Sequence, residues 1–172
     1  MSLTTLEQLP SHSRLWAFTS GEPLGAELRA EIEKEVEHFL ESWKAHGADL
    51  FAAAAFLHDR FLLIAVDQEK SSPSGCSIDA LTRFLRDLGS RHGVDFLDAP
   101  NCCWRDDDGV HCVDRDQFRR LAEHGAVDKE TTVFDLTVTS LADLRDGKFE
   151  TDVDGTWYGR AFPIEVSPTA TR

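Results

Sequence analysis

The sequence predicts an α+β fold. One domain over residues 1–166 opens on a ferredoxin-like strand-helix-strand-strand-helix start and closes on a C-terminal hairpin, helix and strand that extend the same sheet. Three observations predict this. A long amphipathic helical pattern sits between a short strand pattern and two apolar runs, those runs are divided by only three polar residues, and no Pro/Gly/Ser linker separates the later segments from the earlier ones. A chain of 172 residues with 41% hydrophobic side chains, eleven Phe and four Trp among them, has the material for a real core.

In chain order, Arg14-Leu15-Trp16-Ala17-Phe18 reads as the first strand, ended by Thr19-Ser20-Gly21 and Pro23. Leu28, Ile32, Val36, Phe39 and Trp43 then share one helical face within about an 80° arc, with Glu33, Glu37 and Glu41 pointing the other way and Gly47 as the expected C-terminal cap. Leu50 to Leu57 and Phe61 to Val66 form a hairpin turning at His58-Asp59-Arg60, and their near-continuous hydrophobicity predicts central, covered strands. A second helix starts near Cys76 or Ser77, carries Ile78, Leu81, Leu85 and Leu88 on one face, and stops at Gly89 or Gly93. Val94 to Leu97 is the expected sixth element. Asn101 to Arg105 and Val110 to Val113 flank the turn Asp106-Asp107-Asp108-Gly109, which places Cys103 opposite Cys112 and Trp104 opposite His111. Asp114 and Gln117 form a capping box for a short helix, Thr132 to Thr139 alternates as a strand, and Ser140 opens a helix through Leu141 and Leu144. Trp157-Tyr158 falls outside any expected element, and residues 167–172 read as a frayed tail.

The formal charge of −13 arises from 31 acidic against 18 basic side chains, with only five lysines and eighteen aspartates. Such self-repulsion is relieved by concentrated counterions, which predicts a salt-adapted protein, and the lack of a Lys/Arg cluster argues against nucleic acid as a partner. Met1 to Pro10 has no secretory pattern and no apolar run approaches the ~20 residues of a membrane span, so the expected setting is the cytoplasm, without a membrane partner. In that compartment the four cysteines are expected as reduced thiols.

The sharpest chemical candidate is Gly75-Cys76-Ser77-Ile78-Asp79. Free N–H groups at a helix start favour an anion and would lower a thiol pKa, so Cys76 is the candidate nucleophile and Gly75, Ser77 and Asp79 the candidate ligand contacts. The structural alternative makes Ser74 or Ser77 the cap and Cys76 a small buried apolar residue. A base is not selected among His12, His46, His58, His92, His111 and His124. Cys102, Cys103, His111 and Cys112 crowd one hairpin, but its alternation divides them between two faces and no Cys-x-x-Cys pair occurs, so no metal or other cofactor is expected.

The pieces Ser13-Arg14-Leu15-Trp16, Asp59-Arg60-Phe61, Gly75-Cys76-Ser77-Ile78-Asp79, Gly93-Val94-Asp95 and Thr132-Val133-Phe134-Asp135 together resemble an uncharacterised bacterial family sometimes labelled "ABC transporter ATPase". The resemblance implies no activity. Phosphate cradling of that type needs Gly-x-x-x-x-Gly-Lys-Ser/Thr, whereas the one Gly-Lys pair, Gly147-Lys148, is followed by Phe149, so a P-loop ATPase is excluded. Residues 118–134, through Gly125, Val127, Thr132 and Phe134, resemble small GYF-like adaptor modules, which bind peptides. The expected function is a non-catalytic binding protein for another protein or a small acidic ligand, with an uncovered sheet face or edge as the route to a homodimer. The alternatives are a Cys76-dependent enzyme or anion-binding protein and, third, a zinc-binding hairpin.

Overall fold

The computed structural model describes residues 5–164, so the expected tail at 167–172 lies outside the described residues. Strand β1 (Arg14–Thr19) leads through a turn into α1 (Ala26–Ser42), whose Ile32, Val36 and Leu40 are buried. The helix stops at Trp43, where the indole Nε1 donates to the Ser77 carbonyl at 2.9 Å. Gly47 is not its cap. His46 and Gly47, at φ 52° and 82°, form the left-handed turn of a small hairpin between β2 (Lys44–Ala45) and β3 (Ala48–Asp49), because the chain has already left the helix four residues earlier.

Strands β4 (Ala52–Leu57) and β5 (Phe61–Val66) form the expected hairpin, and with β1 they make an antiparallel sheet in the order β1-β5-β4. All six residues of β5 are buried, as its uninterrupted hydrophobicity requires of a strand covered on both faces. Helix α2 (Gly75–His92) starts on a Ser74 and Ser77 capping box and ends at Gly93 in the left-handed region. Its Gly89 lets the chain cross closely, since a Cβ there would collide with the Val94 carbonyl. Helices α1 and α2 cover one face of the sheet, where Leu62, Ile64 and Val66 meet Val36, Leu81 and Leu88.

Val94 to Leu97 does not supply the sixth element as a strand. The Asp95 carboxylate accepts the N–H groups of Leu97 and Asp98, both at 2.9 Å, and this local turn uses donors a ladder would need. Phe96 is buried against the helix-side core instead. The place beside β1 is taken at one end by residues 139–141: Leu15 N–H donates to Thr139 at 2.9 Å and Leu141 N–H to Ser13 at 3.0 Å.

The α+β class holds, but the C-terminal elements build a second sheet rather than extending the first. Strands β6 (Cys102–Asp106), β7 (Gly109–Val113), β8 (Thr132–Phe134) and β9 (Glu150–Asp152) are antiparallel in the order β7-β6-β8-β9. This sheet covers the far face of the first, with Cys103, Phe134 and Phe149 packed on Leu15, Phe61 and Leu63, and so satisfies the second apolar face of β5. Its outer side is covered by α3 (Arg115–Glu123), capped by Asp114 and Gln117 as expected, and by α5 (Trp157–Ala161). The Trp157-Tyr158 segment is thus helical, with Tyr158 fully buried. Strand β8 ends at Phe134, short of Thr139, because the Asp135 carboxylate takes both the N–H and hydroxyl of Thr137 at 2.9 and 2.6 Å. Helix α4 (Leu141–Arg145) follows Ser140 as expected.

Candidate functional site

At the start of α2, Ser77 is buried and committed to the cap: its N–H donates to Ser74 Oγ at 3.2 Å, and its hydroxyl donates to the Ser74 carbonyl at 2.8 Å. Cys76 is exposed, which corrects the expectation of a small buried residue, and Gly75 and Asp79 are exposed beside it. Among the described residues the Cys76 thiol has no hydrogen-bond partner, and the described clefts do not include it in their walls. Gly75, Cys76, Ser77 and Asp79 therefore share one turn without converging on an enclosed point.

On the second hairpin, Cys103 and Cys112 are paired partners joined as a disulfide, so two of the four expected thiols are oxidised. Cys102 lies on the opposite face, buried among Trp104 and Phe118, where burial pushes its thiol up to about 11. His111 stacks on Trp104 at 5.1 Å and meets the Asp106 carboxylate at 2.7 Å, an arrangement that holds both side chains away from the disulfide. Among the described residues no group of three or more His, Cys, Asp and Glu side chains could hold a metal ion.

A different feature stands out at the free edge of β4. Leu15 N–H points away from β5, toward Thr139, so the alternation of an antiparallel ladder assigns Trp16 and Phe18 to the bonds with Ile64 and Leu62. By the same alternation Leu63 and Ala65 bond to Ala55 and Ala53, which leaves the N–H and C=O groups of Ala52, Ala54 and Phe56 facing outward. The Phe51 carbonyl, accepting from Asp67 N–H at 2.9 Å, continues that pattern. Among the described residues no hydrogen bond reaches these three rungs, and the strand carries no charge, no proline and no bulge, the devices by which sheet edges are usually closed to pairing.

Beside this edge, α1 forms the second wall of a cleft of about 320 Å³ lined by Glu33, Val36 and Glu37 from the helix and Ala54, Ala55, Phe56 and Leu62 from the sheet. The apolar floor follows from the core-facing positions of both elements. The rim is acidic: Glu33 pairs with Arg29 at 3.3 Å, and Arg29 also reaches Asp59 at 3.4 Å, while Glu37 has no ion-pair partner among the described residues. Sequence patterning sends Glu33 and Glu37 to the far side of the helix, and their place on a groove wall emerges only once α1 is seen to lie along β4. The available signal was the six-residue run Ala52–Leu57, whose lack of charge suits a paired strand better than a bare edge.

No protein-family model matches the chain, and no curated protein or solved structure is significantly similar to it. Among the described residues no helix is long and apolar enough to cross a membrane.

Proposed function

We propose that the protein is a non-catalytic binding protein that takes an extended, positively charged peptide segment as an added strand on β4, in the groove beside α1. The observation that supports this reading above others is the edge of Ala52, Ala54 and Phe56, which no described residue hydrogen-bonds, next to a helix wall bearing Glu33 and Glu37. Main-chain hydrogen bonds to the three rungs would supply affinity, the apolar floor would receive alternate side chains, and the carboxylates would select a Lys or Arg on the segment. A second copy suits the edge less well. Two-fold pairing of β4 with itself would set two copies of α1 side by side, each with its own acidic rim on a chain of charge −13.

The test is a short peptide alternating Val with Arg, its Glu-for-Arg counterpart, and a version with proline replacing the central residue. Fluorescence anisotropy should show binding of the basic peptide alone, with slowed hydrogen exchange at the Ala52, Ala54 and Phe56 amides. Glu37→Lys should weaken it about fivefold, the scale of one rim charge. Equal binding of the acidic peptide, or unchanged exchange at those amides, would remove the proposal. Protection of the same amides in peptide-free protein, together with a dimer mass by light scattering, would replace it with self-pairing.

The charge balance supports salt adaptation of a cytoplasmic protein as part of the same reading. The melting temperature is expected to rise by several degrees between low and molar salt as repulsion is screened, and a flat or falling response would exclude it.

A further inference from the structure

The side chain of Arg60, in the turn between β4 and β5, is buried at 7% exposure. Its guanidinium donates to the Gly21 carbonyl at 2.8 Å and approaches Cys112 Sγ at 3.9 Å, its Nε has no partner, and no carboxylate forms an ion pair with it among the described residues. Glu22 and Asp59 act on this buried cation electrostatically but form no ion pair with it, so it stays only partly compensated. A thiolate at Cys112 would stand closer to the guanidinium than either carboxylate. Thr19, also buried, stands 3.8 Å from the same Sγ, and because its oxygen already accepts from Gly21 N–H at 3.0 Å its own hydrogen is free to point there. Cys112 is half-buried, whereas Cys103 is fully buried.

We propose that Cys103 and Cys112 are a thiol–disulfide exchange pair, with Cys112 the sulfur that meets an incoming low-molecular-weight thiol and Arg60 the counter-ion of its thiolate. In the reducing direction a thiolate RS⁻ attacks Cys112 Sγ. The S–S bond to Cys103 breaks, and its electron pair leaves on Cys103, which takes up a proton. A second RS⁻ attacks the outer sulfur of the mixed disulfide, releasing RSSR and leaving Cys112 as a thiolate between the guanidinium and the Thr19 hydroxyl. Two electrons pass from two thiols to the protein, and the reverse sequence reduces a disulfide supplied from outside. Stabilising Cys112 as an anion makes it the better leaving group in the second step and the nucleophile in the reverse one. Opening the link need not open the fold, because the two cysteines remain partners in a five-rung ladder and Phe134 and Phe149 also pack the second sheet on the first.

The full chain is equilibrated in buffers of reduced and oxidised glutathione, acid-quenched, alkylated and read by peptide mass spectrometry, with circular dichroism on the same samples. Reversible interconversion of the Cys103–Cys112 pair in folded protein is expected. Cys103→Ser leaves Cys112 as a single thiol, whose alkylation against pH should show ionisation well below the ~8.5 of an ordinary cysteine. Arg60→Met is expected to shift the glutathione equilibrium about tenfold toward the disulfide, and Arg60→Lys much less. If the pair stays oxidised in reducing glutathione while the fold is intact, or if Cys112 in Cys103→Ser ionises at or above the ordinary value, the proposal fails. The Cys103→Ser measurement retains Arg60, so it decides the matter even where Arg60→Met does not fold.

Discussion

Replacing Phe61 with alanine is expected to cost about 3–5 kcal/mol, the range for removing a fully buried aromatic side chain and leaving a cavity. Phe61 is the first residue of β5 and is 0% exposed. Its ring lies 4.7 Å from that of Phe134 and 5.3 Å from that of Phe149, so it joins the hairpin of the first sheet to the strands and loops of the second. His58 packs its ring edge against Phe134 at 5.1 Å above the same cluster, and its Nε2 meets the Glu150 carboxylate at 2.9 Å. Truncation therefore removes contacts between sheets as well as apolar area. Against a typical domain stability of about 5–15 kcal/mol the loss is a large fraction, and it should lower the melting temperature on the order of 10 °C. Urea unfolding checks it, with Phe61→Leu as the control that keeps most of the volume and should cost under half as much. A loss below about 1 kcal/mol for Phe61→Ala would mean that this cluster does not hold the sheets together.

The parts of the fold written in local patterns were legible from sequence. The period of Ile32, Val36 and Trp43, the Asp114 and Gln117 cap, the β4–β5 hairpin and the facing of Cys103 to Cys112 all depend on residues close along the chain. The second sheet was harder, because the feature that demands it is the two-sided burial of β5, and a continuous apolar strand does not say whether its second face meets helices or strands. Val94 to Leu97 has strand-like composition, yet the single carboxylate of Asp95 turns it by binding two backbone donors. The candidate groove was hidden for a related reason. A free edge is a property of what does not pair with β4, and only the register of β1 on β5 and β5 on β4 reveals which backbone groups remain. The Cys76 segment shows the converse: a suggestive local motif that tertiary structure leaves open to solvent, with Ser77 spent on its own cap.

Alkaline conditions should destabilise the protein well before its lysines titrate, through two buried acids on the outer side of the second sheet. Burial pushes the Cys102 thiol up to about 11 and raises the Tyr158 hydroxyl above its ordinary value as well. In an unfolded chain these groups ionise near 8.5 and 10. Below 8.5 both states keep the Cys102 proton and its contribution does not vary with pH. Between about 8.5 and 11 the unfolded state loses it while the folded state retains it, so stability falls by about 1.4 kcal/mol per pH unit, and the slope ends once folded Cys102 ionises too. Tyr158 adds a second slope of the same sign from about pH 10 upward. Its hydroxyl accepts from Cys103 N–H at 3.0 Å and donates toward the Phe134 carbonyl at 3.1 Å, so ionisation would also remove a donor that the buried carbonyl uses. Urea midpoints taken from pH 7.5 to 10.5 in molar salt, which suppresses general charge repulsion, should decline by an equivalent of about 2–3 kcal/mol. Cys102→Ala starts from a lower stability but should stay nearly flat to about pH 10, where Tyr158 takes over. Identical slopes for the two proteins would show that Cys102 ionises as freely when folded as when unfolded, and that the packing of α3 and α5 against β6 does not exclude water from it.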